Sequence, residues 1–205
     1  MTENPLTAAA RRGAVLAGPA AVLSLLLFVA ALAVFGDQVG AVSRSAVGVT
    51  SSALALVSVA LLMLGLVHLA VNAPALQDRH GRNAVLAAAG GTLLLAGGAW
   101  SQLVILPAIT TEAPRMAEQG HPLVTAAYVV TFLAAGAGWL LVALRLRRDP
   151  QTARLHARLL IAGAVVMVPP LPTRWFLLAV AVTLLARRGT AVAVAVAPQP
   201  IPATG

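Results

Sequence analysis

Apolar residues along this chain come in long unbroken blocks, separated by short polar stretches, with little alternation inside any block. An α-helix needs about 20 such residues to cross a hydrocarbon core about 30 Å thick. Four blocks reach that length: 14–36 (AVLAGPAAVLSLLLFVAALAVFG), 53–73 (ALALVSVALLMLGLVHLAVNA), 83–107 (NAVLAAAGGTLLLAGGAWSQLVILP) and 123–144 (LVTAAYVVTFLAAGAGWLLVAL). Pro19 is placed near the start of the first helix, and Thr50, Ser51 and Ser52 are candidate N-caps of the second. Asn83 opens the third and Pro107 closes it, while Gly120 and Pro122 lead into the fourth. The strictly alternating segments of a membrane β-barrel are absent.

Two shorter apolar runs remain, 159–168 and 175–186, divided by PPLPTR. Joined as one helix they would bring Arg174 near the bilayer centre, at a cost of about 2.5–3.5 kcal/mol on insertion scales. Pro169, Pro170 and Pro172 would also interrupt that helix's hydrogen-bond ladder. A turn avoids both costs. Extended to their flanking arginines, which reach the interface by snorkelling, the runs become spans five and six over about 154–171 and 173–188. The expected fold is therefore all-α: a polytopic integral membrane protein, a bundle of about six transmembrane helices.

The charges support this division. With six spans, Arg11, Arg12, Arg79, Arg82, Arg145, Arg147, Arg148, Arg154, Arg158, Arg187 and Arg188 share one side, leaving Arg44, Arg115 and Arg174 on the other. The positive-inside rule assigns the larger group to the cytoplasm. Residues 1–13 and a disordered, proline-rich tail over 189–205 are then both cytoplasmic. Arg11 and Arg12 precede an apolar block longer than the 7–15 residues of a signal-peptide core, without an A-x-A site, so the block is taken as an uncleaved first span. Trp100, Trp139 and Trp175 fall near predicted span ends, where indoles favour the headgroup level.

Composition points the same way: 60% of residues are hydrophobic and 10% charged, against about 25% charged in soluble domains. The net charge of +8 belongs to span ends rather than to a basic, aromatic-studded surface, so nucleic acid is not an expected partner; the lipid bilayer is. No cysteine is present, which excludes disulfides and thiolate chemistry. All fourteen basic residues are arginine, which excludes lysine Schiff bases and points to a GC-rich bacterial gene. The expected location is a bacterial plasma (inner) membrane.

Candidate chemistry is sparse. His68 and Asn72 share a face near the cytoplasmic end of span two, as a proton or metal site or as an interfacial hydrogen-bonded pair. No acidic residue lies inside a span to partner them, which favours the second reading. Ser101 and Gln102 form a polar pair near the outer end of span three, bonded to a neighbour or lining a vestibule. Gly90 and Gly97, like Gly91 and Gly98, are seven apart, and Gly136 and Gly138 offer a complement on span four for close helix packing. Arg145, Arg147, Arg148, Arg154 and Arg158 could contact anionic lipid or an acidic partner, or serve orientation alone. Glu112, Arg115, Glu118 and His121 form an outer loop whose spacing matches no metal motif. His80 and His156 lie on the basic side without a selected role.

Common catalytic signatures are missing, and no cofactor or metal is expected. The expected function is a non-catalytic accessory or scaffold component, acting through helix–helix or lipid contacts with another membrane protein or a second copy. The alternative is a transporter or channel for a small neutral or apolar solute.

Overall fold

The computed structural model describes residues 5–36, 38–115, 122–149, 152, 154–167 and 175–195, with side chains as far as Arg187. Every regular element among them is helical. Helix α1 spans Pro5–Phe35, so it begins well before the expected boundary at residue 14 and carries Pro19 in its interior. It stops at Gly36, whose φ of 63° is the left-handed turn that glycine takes without Cβ strain. The Gly36 amide closes that end on the Leu32 carbonyl at 2.8 Å.

A short α2, Val39–Arg44, is followed directly by α3, Ala46–Asn72. Ser45 joins them: its hydroxyl accepts from the Gly48 amide at 3.0 Å and donates to the Val42 carbonyl at 2.9 Å. The cap is therefore Ser45 and not Thr50, Ser51 or Ser52, which lie inside the helix. A 3-10 turn over Pro74–Leu76 leads to α4, Arg79–Trp100, capped by Asp78 through the Gly81 amide. Asn83 is thus one turn inside its helix.

Pro107 does not close this helix. The chain passes through a π-helical stretch, Ser101–Ile105, into α5, Leu106–Glu112. Proline lacks an amide hydrogen, so Pro107 offers no donor to the Leu103 carbonyl four residues back. The ladder widens just before it, and the Leu106 amide reaches five residues back to the Ser101 carbonyl.

Helix α6 spans Pro122–Arg147, α7 Arg154–Val166 and α8 Phe176–Ala195. Four stretches are long and apolar enough to cross a membrane: Pro5–Phe35, Ala46–Asn72, Arg79–Glu112 and Pro122–Arg147. At 13 residues, α7 rises only about 20 Å. The PPLPTR segment, including Arg174, lies outside the described residues, as does the tail from 196 onward. Residues 189–195, expected in the disordered tail, continue α8; after Gly189 and Thr190 the sequence alternates alanine and valine with no proline before 198, and alanine is the strongest helix former.

The helices pack as a closed circuit: α3 against α1 and α4, α6 against α4 and α7, and α8 against both α7 and α1. Small residues such as Ala14, Ala17, Ala21, Ala135 and Ala143 are fully buried beside Leu62, Leu66, Leu160 and Leu178. Leu16, Leu26, Val34, Leu86, Leu93 and Val130 are exposed. Small residues at the contacts and large aliphatic ones outside form the pattern of helices packed in lipid, where close backbone approach replaces a water-driven core.

Side-chain hydroxyls bind the helices to one another. The Ser24 hydroxyl donates to the Ser51 carbonyl at 2.9 Å and the Ser51 hydroxyl to the Ser24 carbonyl at 2.8 Å, a reciprocal clasp of α1 on α3. Trp139 on α6 donates to Thr92 of α4 at 3.0 Å, and Trp175 donates to Ser58 of α3 at 2.8 Å. These two indoles are core residues, fully buried and 4% exposed, and not headgroup-level anchors; each indole N–H has its acceptor inside the bundle. Trp100 is exposed at the end of α4.

Thr183 makes the most unusual of these contacts. Its hydroxyl accepts from the Gly18 amide at 2.8 Å and donates to the Ala14 carbonyl at 2.9 Å. Gly18 and Ala14 are the i and i−4 partners of an ordinary helical bond, so the hydroxyl of α8 is inserted into the ladder of α1. Pro19, the next residue, already lacks the donor for the following rung. Gly18 permits the insertion, since a Cβ there would sit 2.8 Å from the Thr183 oxygen.

Candidate functional site

The paired glycines of α4 divide between two surfaces. Gly91 faces α6, and a Cβ on it would collide with the Ala135 backbone. Gly138 of α6 returns the fit, its added Cβ falling 2.6 Å from the Ala87 carbonyl carbon. Thr92, buried beside Gly91, donates to the Ala88 carbonyl at 2.7 Å while accepting from Trp139. Gly136 is also buried. Gly90 and Gly97 are exposed, with nothing within 4 Å of a built Cβ, and Gly98 has only the Tyr128 ring at 3.8 Å. Adjacent residues are turned by about 100° around a helix, so the two seven-residue pairs cannot both face α6.

The two candidate polar pairs do not meet. Asn72 donates to the His68 carbonyl at 2.8 Å and lies 3.2 Å from His68 Nδ1, on the last turn of α3. Ser101 and Gln102 are half-buried in the π-helical stretch after α4. The 22 residues of α4 separate them from the α3–α4 turn by about 33 Å at 1.5 Å per residue. Among the described residues, no group of three or more His, Asp or Glu side chains could hold a metal ion. Glu112 and Arg115 are exposed; Glu118 and His121 lie outside the described residues.

The basic residues gather at one end. Arg145, on the last turn of α6, reaches Asp78 at 3.4 Å, so this turn lies beside the α3–α4 connection. The Gly81 amide holds the Asp78 carboxyl below its ordinary value; desolvation opposes this, and the charges of Arg145 and His80 add to the lowering. Leu146 is buried, while Arg147 and Arg148 are exposed. Arg147, Arg154 and Arg158 line one open cleft of about 290 Å³ between the end of α6 and the start of α7. On the same helix His156 is buried, at 6% exposed.

The interhelical hydroxyl contacts are the polar features that the hydrophobic blocks concealed. Ser24, Ser51, Ser58, Thr92 and Thr183 are buried; all but Ser51, which lies between Thr50 and Ser52, are isolated Ser or Thr residues within an apolar run. In lipid such a residue needs a partner; that signal marks the positions, though not the partners. No family model matches the chain, and neither the curated proteins nor the solved structures compared with it gave a match.

Proposed function

We propose that the chain is a non-catalytic membrane protein of six passes, an accessory or scaffold component that works through its lateral surface. The observation that carries this reading is the use of the interior polar groups. The hydroxyls of Ser24, Ser51, Ser58, Thr92 and Thr183 and the indoles of Trp139 and Trp175 join helix to helix, so these polar groups serve packing. Helices α7 and α8 complete passes five and six, with the proline segment as an outer turn and the arginine-rich end in the bacterial cytoplasm.

The outward side of α4 supports a lateral role. Leu86, Gly90, Leu93, Gly97 and Trp100 recur at three- and four-residue spacing and are all exposed. Leucines flanking bare backbone suit a close helix crossing in lipid, with another membrane protein or a second copy as occupant. The chain has no native cysteine, so Leu93→Cys and Gly97→Cys can be oxidised in native membranes. A dimer-sized band, or a photocrosslinked adduct from the same positions, supports the reading. A lone monomer at both positions, with no adduct in native membranes, counts against it.

A second reading, a channel or transporter for a small neutral solute, draws on the opened ladder beside Pro19 and on the π-helical stretch bearing Ser101 and Gln102. Solute flux in proteoliposomes that disappears in Gln102→Ala and His68→Ala would favour it over the scaffold. Absence of flux across a broad panel would remove it.

A further inference from the structure

The arginine cleft is more specific than membrane orientation requires. Topology is served by arginines anywhere on the cytoplasmic side, yet Arg147 from the last turn of α6 and Arg154 and Arg158 from the first turns of α7 converge on one cleft. The segment 145–158 contains five arginines and a single carboxylate, Asp149. The nearest acid of the α3–α4 turn, Asp78, is engaged by Arg145 and the Gly81 amide. Guanidiniums brought together repel one another, and an oxyanion between them relieves that repulsion through charge-assisted, often bidentate hydrogen bonds.

The surface below the cleft is apolar on both helices. On α6, Leu144 and Leu141 lie one and two turns below Arg147, and both are exposed. On α7, Ala162 and Val165 follow Arg154 and Arg158 at helical spacing, again exposed. A phosphate at the cleft would thus sit above two aliphatic faces that can take acyl chains.

We propose that Arg147, Arg154 and Arg158 bind the phosphate of an anionic phospholipid whose acyl chains lie along the exposed faces of α6 and α7. This inference rests on the membrane reading above. It gives that reading one defined lipid contact, fixed where α6 hands over to α7.

The test uses the full-length protein in zwitterionic detergent micelles, titrated with fluorescent phosphatidylglycerol and, separately, with the matching phosphatidylcholine. Each arginine near a headgroup contributes about fivefold in affinity, so three together give on the order of 100-fold. The expected result is a strong preference for phosphatidylglycerol that falls to the phosphatidylcholine level in Arg147→Gln/Arg154→Gln/Arg158→Gln. The control Arg11→Gln/Arg79→Gln/Arg82→Gln, with the same loss of charge, keeps the preference. A helical circular-dichroism spectrum checks that both variants fold, and the single Arg158→Gln, expected to lose about fivefold, gives an independent reading.

Equal loss in the control would overturn the site in favour of general charge attraction. Full competition by millimolar inorganic phosphate would overturn the lipid assignment in favour of a soluble anion. Alkaline carbonate extraction of native membranes separates the two levels of the argument. Protein that resists extraction but shows no phosphatidylglycerol preference removes the site alone, whereas extracted protein removes the membrane reading with it.

Discussion

Replacing Thr183 tests the packing of α8 on α1 through an inverted order of stabilities. In Thr183→Val a methyl takes the place of the hydroxyl, so shape is kept while the Gly18 amide and the Ala14 carbonyl lose their partner. The methyl also occupies the gap, which prevents the two backbone groups from closing on each other. Two unsatisfied backbone groups cost about 1–3 kcal/mol each, and interhelical hydrogen bonds in membranes average about 0.6 kcal/mol with a maximum near 1.7. Together these put Thr183→Val at about 2–4 kcal/mol less stable. Thr183→Ala removes more contact area but clears the gap, so α1 can reform its own rung; about 1–2 kcal/mol is expected. Thr183→Ser keeps the hydroxyl and should remain within about 1 kcal/mol of the parent. Packing alone would make valine the mildest change and alanine the worst. The assay is SDS-driven unfolding in mixed micelles, followed by helical circular dichroism. A valine variant as stable as the parent, or more stable than the alanine variant, would refute the inserted-hydroxyl account.

Ser24→Ala and Ser51→Ala should each destabilise by about 0.6–1.7 kcal/mol, and a double-mutant cycle by the same assay should show coupling, since the two residues form one reciprocal clasp; strict additivity would deny it. Gly91→Leu and Gly138→Leu should force α4 and α6 apart and lower the unfolding midpoint sharply, whereas Gly90→Leu and Gly97→Leu, facing outward, should leave the isolated protein's midpoint nearly unchanged. Asp78 should stabilise the fold with a distinct pH window. Its depressed carboxyl contributes fully above its ordinary value of 3.8 and loses that contribution as pH falls through the lower folded value. The midpoint gap between parent and Asp78→Ala should therefore be flat from neutral pH to about pH 5 and shrink only below about pH 4; a gap that changes near pH 6 would be inconsistent with it.

The helices were legible because a bilayer-length apolar block is a strong signal and few alternatives satisfy it. Their ends were less so. Ser45 and Asp78 cap α3 and α4 from outside the apolar blocks, whereas the polar residues at the block edges are Thr50–Ser52 and Asn83. Pro107 suggested a stop, but a π-helical stretch absorbed it, an outcome that depends on the neighbouring packing. The glycines of α4 signalled a close crossing, yet choosing Gly91 over Gly90 requires knowing which side α6 occupies. Trp139 and Trp175 misled for a related reason: an indole near a span end suits a headgroup, and only the positions of Thr92 and Ser58 show an internal acceptor. Thr183 gave no sequence sign of its role, because the site on α1 is made from backbone groups.

The six-pass arrangement is the central claim, and single-cysteine labelling tests it most directly on this cysteine-free chain. Gln38→Cys, Glu118→Cys and Thr173→Cys would be exposed in intact cells to a membrane-impermeant maleimide, beside Gln77→Cys and Gln151→Cys. Labelling is expected at 38, 118 and 173, with 77 and 151 reacting only after permeabilisation. Protection at 173 while 38 and 118 react would contradict the six-pass arrangement, because the segment between α7 and α8 would then not reach the outer surface, as a re-entrant hairpin or a break within a fifth span, and six full crossings would fall.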